Sequence, residues 1–363
     1  MSALYDGTTP AADEVEVTLF GPGYGEAIAV HLGEGIWLLV DSCINPDTKQ
    51  PASLEYLEHL NISPDAVCSI IASHWHDDHV KGMTKLVEKF TQAEFVISGV
   101  FNEKETFTFL CAYGNASGAT QTGGTRELHG AIRANKIAKG SLWFAHQRSP
   151  IHTAIIQGRT ILVSALSPTT NAQIQTKMHM AKYLPEAVDS PINHAPDLKP
   201  NIEAIVVHID LGDDAILLGS DLENTSNAGW SAIINDKWCK KVRQASTYKI
   251  AHHGSETAEN SKIWDALLTK QPVATLTPFI NGSVSIPTQV DRKRIRERTS
   301  SAYISSGASK KPAMDNQMIK RLSNICTNLA QVNAGFGAIR LRKKYGASQW
   351  TVKLFGNAQP VQL

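Results

Sequence analysis

Nothing in this chain of 363 residues reads as a membrane-spanning helix, because no run of about eighteen apolar residues occurs. Its start, Met1-Ser2-Ala3-Leu4-Tyr5-Asp6-Gly7, lacks a basic stretch followed by an apolar one, so a secretory signal is not expected. The five cysteines (43, 68, 111, 239, 326) are odd in number, scattered, and form no Cys-X-X-Cys pair. That excludes a disulfide framework or a cysteine zinc site and leads us to expect reduced thiols in a cytoplasmic protein. Cys43 and Cys68 lie beside apparent strands and are expected to be buried small hydrophobes. No short-period repeat is present.

An excess of one charge is also missing, since the net charge is only +1. The balance is uneven, however. Residues 288–363 hold 14 Lys and Arg against 3 Asp and Glu, a balance of +11; the rest holds 21 against 31, a balance of −10. Such asymmetry is a signal for an anionic partner, although basic residues also solvate exposed helices.

What is present is a pattern of short apolar strands interleaved with helices. The apolar fraction of 42% is that of a globular protein. Residues 15–20, 27–31 and 36–41 read as a three-stranded meander, 51–61 as a helix, 66–72 as a buried strand, and 81–90 as a helix. Helices are expected at 103–112 and 127–137, around a Gly-rich candidate mobile loop at 114–124. Residues 168–200 show no period and are expected to form a lid or ordered loop. Hairpins follow at 155–165, 202–218 and 338–354, short strands at 248–251 and 274–276, and helices at 292–298 and 317–329. The fold class is therefore α/β: two sheets with helices outside, in a single domain over 1–363 with a helical insert at about 99–150 and a basic segment at about 288–363.

The chemistry concentrates in His74-Trp75-His76-Asp77-Asp78-His79, three imidazoles and two carboxylates directly after an apolar strand. Imidazole and carboxylate donors at this spacing suit a divalent metal, and a strand's carboxyl end is a usual place for a site. Three more segments end an apolar strand in a donor: Val40-Asp41, Leu217-Leu218-Gly219-Ser220-Asp221, and Lys249-Ile250-Ala251-His252-His253. All of them can meet at one edge of a sheet sandwich. A carboxylate between two cations ligates both, and a water held there ionises near neutral pH into a nucleophile.

This constellation resembles the metallo-β-lactamase superfamily: His-X-His-X-Asp-His at 74, 76, 78 and 79, then a strand-end Asp221 and a strand-end His252 or His253. Within it the chain is most similar to the hydrolase domain of bacterial DNA-uptake (competence) proteins. Gly23-Tyr24-Gly25-Glu26-Ala27, Leu39-Val40-Asp41 and His252-His253-Gly254-Ser255 carry that likeness, over about residues 15–290. The resemblance implies an αββα four-layer sandwich with the metals at the shared sheet edge. It implies His74 and His76 on a first metal, Asp78 and His79 on a second, Asp221 bridging, and His253 completing the second site, with His252 as the alternative. Asp41 would orient a ligand histidine. The third donor that the family has on its first metal is not matched; His152, His194 and Asn201 lie in the interval. Two Zn²⁺ ions are expected, with Mn²⁺ or Fe as alternatives.

The function expected is a metal-dependent phosphodiesterase or nuclease acting on an anionic substrate, nucleic acid or nucleotide; the alternative is a small-molecule hydrolase of a lactone, thioester or other ester or amide. Lys81, Ser255 and Trp75 are the candidate substrate contacts, Trp75 by stacking unless it braces the ligand loop. Lys249 is expected to be solvated. Arg292, Lys293 and Arg296 are candidates to track a phosphate backbone.

Overall fold

Four early strands, β1 (Glu14–Gly21), β2 (Ala27–Gly33), β3 (Ile36–Val40) and β4 (Val67–Ile71), are buried along nearly all of their length. Their side chains alternate between two different cores, as a two-residue period requires. Ile28, Val30, Leu38 and Val40 face one, and Ala27, Ala29, Trp37 and Leu39 the other. Strands apolar on both faces need a layer on each side, and the computed structural model supplies them. It describes residues 5–22, 24–115, 123–184, 199–281, 283–306, 321 and 335–362.

Two eight-stranded mixed sheets stack on each other. The first adds β5 (Glu94–Ser98), β6 (Leu142–Ala145), β16 (Gly337–Lys344) and β17 (Thr351–Gly356), in the order β17-β16-β1-β2-β3-β4-β5-β6. The second contains β7 (Pro150–Ile156), β8 (Arg159–Ala165), β9 (Val207–Asp210), β10 (Ala215–Leu218), β11 (Ala245–Lys249), β12 (Leu268–Leu276), β15 (Ala302–Ile304) and β18 (Gln359–Pro360), in the order β18-β15-β12-β11-β10-β9-β8-β7. Between the sheets lies the core of Val17, Ile28, Val30, Ile161, Val207 and Ile216.

Helices cover both outer faces. On the first sheet, α1 (Ala52–His59), α3 (Met83–Lys89), α4 (Lys104–Asn115) and α5 (Gly123–Ile137) contribute Leu57, Leu86, Phe109 and Leu128 to an outer core. On the second, α7 (Gly229–Asn235), α8 (Ser261–Ala266) and α9 (Gln289–Arg298) contribute Trp230, Ile263 and Ile295. The expected αββα four-layer sandwich is therefore the fold. A separate hairpin, β13 (Phe279–Asn281) with β14 (Val284–Ile286), stands outside both sheets. No helix among the described residues is long and apolar enough to cross a membrane.

Three differences from the sequence reading have physical causes. The stretch at 168–200 is not aperiodic loop throughout: α6 (Thr170–Ala181) starts on the Thr169 side chain, which accepts the Ala172 N–H, and buries only Ala172, Gln173, Thr176 and Met180. With polar residues on the buried face, its apolar period was invisible. Cys43 is buried as expected, but Cys68 is partly exposed. Part of the basic C-terminal excess is compensated locally. Arg340 and Lys353 pair with Asp6, Arg342 with Glu16, Lys343 with Asp214, and Lys344 with Asp13. Strand β16 lies antiparallel beside β1, which brings the C-terminal cations to N-terminal acids. The Gly-rich loop expected at 114–124 falls mostly, and the helix at 317–329 all but wholly, outside the described residues.

Candidate metal centre

Parallel pairing puts the donor-bearing strand ends together. Strands β3 and β4 run parallel, so Asp41 and the run after Ile71 emerge at one end; β10 and β11 do likewise for Asp221 and His252-His253. Ser220 Oγ donates to Ser73 Oγ at 2.7 Å and joins the two sheets at this edge. The turns there are tight: Asp41, Ser220, His252 and His253 all have φ between +47° and +59°. Each such residue costs about 1–2 kcal/mol for an ordinary side chain, and strain of this kind gathers at functional sites. The single helical turn α2 (Asp77–Val80) follows His76 and turns Asp78 and His79 inward.

Asp78, His79, Asp221 and His253 form one buried group whose donor atoms lie within 4.8 Å of one another. His79 Nε2 is 3.3 Å from Asp221 Oδ2, and His253 Nε2 is 3.3 Å from Asp78 Oδ2 and 3.4 Å from Asp221 Oδ2. His79 Nε2 and Asp221 Oδ1 are buried without a hydrogen-bond partner. Buried polar atoms left in that state are costly, and a cation among them satisfies them. His74 and His76 sit alongside, with His74 Nε2 and His76 Nδ1 3.1 Å apart, but belong to no buried metal-ligand group of three or more among the described residues.

Each of three imidazoles is held by its other nitrogen, so that Nε2 faces inward. His79 Nδ1 meets Asp41 Oδ2 at 2.7 Å, His74 Nδ1 meets Ser73 Oγ at 3.0 Å, and His253 Nδ1 meets Thr277 Oγ1 at 2.9 Å. Asp41 also accepts the Ser73 N–H and hydroxyl, both at 2.8 Å, and thereby orients two histidines. Such partners fix a ring's tautomer and direction. Glu26 does the same for His253 one step removed: its Oε2 accepts the Thr277 hydroxyl at 2.6 Å.

The electrostatics follow from the charges buried here. Burial opposes charge on His79, but Asp221, Asp78 and Asp41 outweigh it and hold the ring well above its ordinary range. Burial opposes charge on His253 too, yet Asp221 and Asp78 push it up to about 9. The site without metal therefore draws protons onto His79 and His253, in the place where a cation fits, whereas burial holds His74 and His76 below the ordinary range.

Lys249 corrects an expectation. It is not solvated but buried, with Nζ 2.5 Å from Glu26 Oε1, 3.7 Å from Asp221 Oδ1, and donating to the Ser220 carbonyl at 3.0 Å. Its strand is central and covered on both faces, which alternation along the strand alone does not reveal. Trp75 takes the bracing role, the alternative to stacking on a substrate. Its ring is buried in the outer core against Phe101, centroids 5.1 Å apart, and so is not free to stack on a substrate. The backbone beside it is equally enclosed, since a Cβ on Gly124 of α5 would lie 1.8 Å from the Trp75 carbonyl oxygen.

The other candidates are distributed around the rim. His253, not His252, enters the buried group; the left-handed turn directs His252 to Thr257 Oγ1 at 2.8 Å and to Asn201 Nδ2 at 3.3 Å. His152 lies on β7, and His194 is outside the described residues. Lys81 is exposed, and Ser255 Oγ caps the Thr257 N–H at 3.3 Å. Of the basic helix α9 it is Arg294, not Arg292, Lys293 or Arg296, that reaches the site's backbone, donating to the Gly254 carbonyl at 2.7 Å. Sequence reading missed Glu26, Ser73 and Thr277 as supports. Only Glu26, inside the Gly-rich opening, carried a signal.

Residues 20–149 match the model of the metallo-beta-lactamase superfamily. No curated protein matches the chain. Among solved structures it is similar to the metallo-beta-lactamase fold protein YhfI from Bacillus subtilis, at 11% identity and TM-score 0.40, covering 82% of this chain and 97% of that one. It is also similar to Zn(2+)-bound PqqB from Methylobacterium extorquens, at 10% identity and TM-score 0.35, covering 77% and 83%. Scores this low bear on neither substrate nor mechanism. The superfamily match over residues 20–149 spans the metal run, the helix-covered pair of mixed sheets is the metallo-β-lactamase fold, and with the buried His/Asp group they mark this chain as a metal-dependent hydrolase.

Proposed function

We propose that this chain is a phosphodiesterase with two divalent ions, Zn²⁺ in the first place, that cleaves nucleic acid or a nucleotide diester. The observation that carries it is the buried charge. Glu26, Asp41, Asp78 and Asp221 face one ammonium, Lys249, and all five are almost wholly buried, which leaves three negative charges to be offset once the imidazoles are neutral, as metal ligands must be. An uncompensated buried charge costs several kcal/mol. One divalent ion would leave this region negative, whereas two would offset it. When bound, such ions supply the nucleophile and polarise the phosphoryl oxygen.

The residues divide the remaining work. Asp78, His79, Asp221 and His253 would hold the second ion and His74 and His76 the first, with Asp221 as the carboxylate common to both. Asp41 and the Ser73 and Thr277 hydroxyls keep the imidazoles aimed. The phosphate part of the reading is supported by the uptake-type motifs at 23–27, 39–41 and 252–255, and by a rim that is polar: Asn201, His252, Ser255 and Thr257. Within the +11 C-terminal balance, the cations of β16 and β17 are already paired with acids and add little.

Protein loaded with Zn²⁺ or Mn²⁺ is expected to hydrolyse bis-p-nitrophenyl phosphate and DNA or RNA, and Asp221→Ala is expected to abolish this. Turnover of a lactone or thioester panel with no diester hydrolysis, metals confirmed bound, overturns the proposal.

A further inference from the structure

Two aromatic rings stand beside the metal centre and serve none of the three cores. Phe279 lies on the hairpin outside both large sheets, its ring centroid 5.4 Å from that of His253. Tyr24 continues the row, 5.3 Å from Phe279. The row runs outward from buried His253 through half-buried Phe279 to Tyr24, which is 36% exposed. Neither Phe279 nor Tyr24 belongs to a hydrophobic core or packs against one, so filling the interior does not explain them.

The chain holds Tyr24 in place from its C-terminal side. Two residues on, the Glu26 N–H donates to the Asp78 carbonyl at 2.8 Å. Gly25 between them has φ +120°, and a Cβ there would lie 2.9 Å from Cys43 Cβ. Tyr24 also lines, with Asp77, Asp78 and the exposed Lys81, a cavity of about 50 Å³. An aromatic face, a carboxylate of the metal centre and an ammonium thus share one small space.

We propose that the Phe279–Tyr24 pair is a stacking subsite for the nucleobase of a phosphodiester seated at the metal centre, with Lys81 facing its phosphate. Every base presents a π-face, and rings at 4.5–7 Å spacing extend naturally by one more ring. The inference rests on the phosphodiesterase reading and narrows it to substrates that carry a nucleobase.

Two esters with the same leaving group test it: thymidine 5′-monophosphate p-nitrophenyl ester and methyl p-nitrophenyl phosphate. Tyr24→Leu and Phe279→Leu keep apolar bulk and remove the ring. Each is expected to lower kcat/KM on the thymidine ester by about fivefold or more, the scale of one lost base stack, and to leave the methyl ester within about twofold. Equal losses on both esters, as expected if the rings only shield His253, overturn the subsite, as does no loss on either. Equilibrium binding to metal-loaded protein gives a second readout. The variants should weaken thymidine 5′-monophosphate and leave inorganic phosphate unchanged. If the unmodified protein hydrolyses neither ester, the phosphodiesterase reading fails, and the binding measurement alone then decides the subsite: variants that bind the nucleotide as the parent does overturn it.

Discussion

Replacing Lys249 by Met tests whether the buried ammonium compensates the carboxylates beneath the metal centre. Lys249 and Glu26 are 1% and 0% exposed at their side chains, and Nζ lies 2.5 Å from Oε1. Asp221 Oδ1, 3.7 Å away, has no hydrogen-bond partner. The variant leaves Glu26 as an unpaired anion in the interior, and breaking a buried pair from one side costs about 3–5 kcal/mol. Removing both charges, in Lys249→Met with Glu26→Gln, spares that penalty, because a glutamine oxygen still accepts the Thr277 hydroxyl. The double variant is therefore expected to recover more than half of the loss. Denaturant unfolding of metal-free protein, followed by tryptophan fluorescence, reads both stabilities. A single variant within about 1 kcal/mol of the parent, or a double variant no better than the single, refutes the reasoning. The first result means that the pair is solvated, the second that the charges act independently.

Asp41→Asn keeps a side chain that tolerates the left-handed backbone at φ +59° but removes the charge against His79 Nδ1. Metal affinity, measured by chelator competition, should fall by about 10–100-fold, and unchanged affinity would show that Asp41 does not direct the ligand. Stability should also depend on His31. Burial lowers its pKa from 6.5 to about 4, and its Nε2 accepts the Gly35 N–H at 3.0 Å, which requires the neutral ring. Between those values the unfolded chain binds the proton that the folded chain refuses. This contribution is thus fully present above pH 6.5 and is lost as pH falls towards 4, on the order of 3 kcal/mol in all. His31→Gln should flatten the fall in unfolding free energy between pH 7 and 4.5; the same slope in both proteins would contradict the assignment.

Much of the site was legible because its signals are local. His74, His76, Asp78 and His79 lie within six residues, and their donor chemistry is that of a metal ligand wherever the chain goes. The strands that carry Asp41, Asp221 and His253 were legible from apolar runs ending in a polar residue. Helix α6 was not, because its buried face is largely polar. Choosing between His252 and His253 needed the backbone turn, which splits two neighbouring imidazoles between the interior and the rim.

The sequence by itself determined the ligand types, the order in which they follow strands and the four-layer plan, since these depend on residue chemistry and on the two-residue period of a strand. Only the tertiary structure decided what each charge meets. Lys249 is silent in its own segment and becomes a buried cation because Glu26 arrives from the turn before β2, more than two hundred residues earlier. The C-terminal basic excess looked like a site for an anion, yet the cations of β16 and β17 are spent on Asp6, Asp13, Glu16 and Asp214, the first three brought within reach because β16 pairs with β1. Charge is a property of the residue, but its free energy depends on the neighbours and on the water that folding removes.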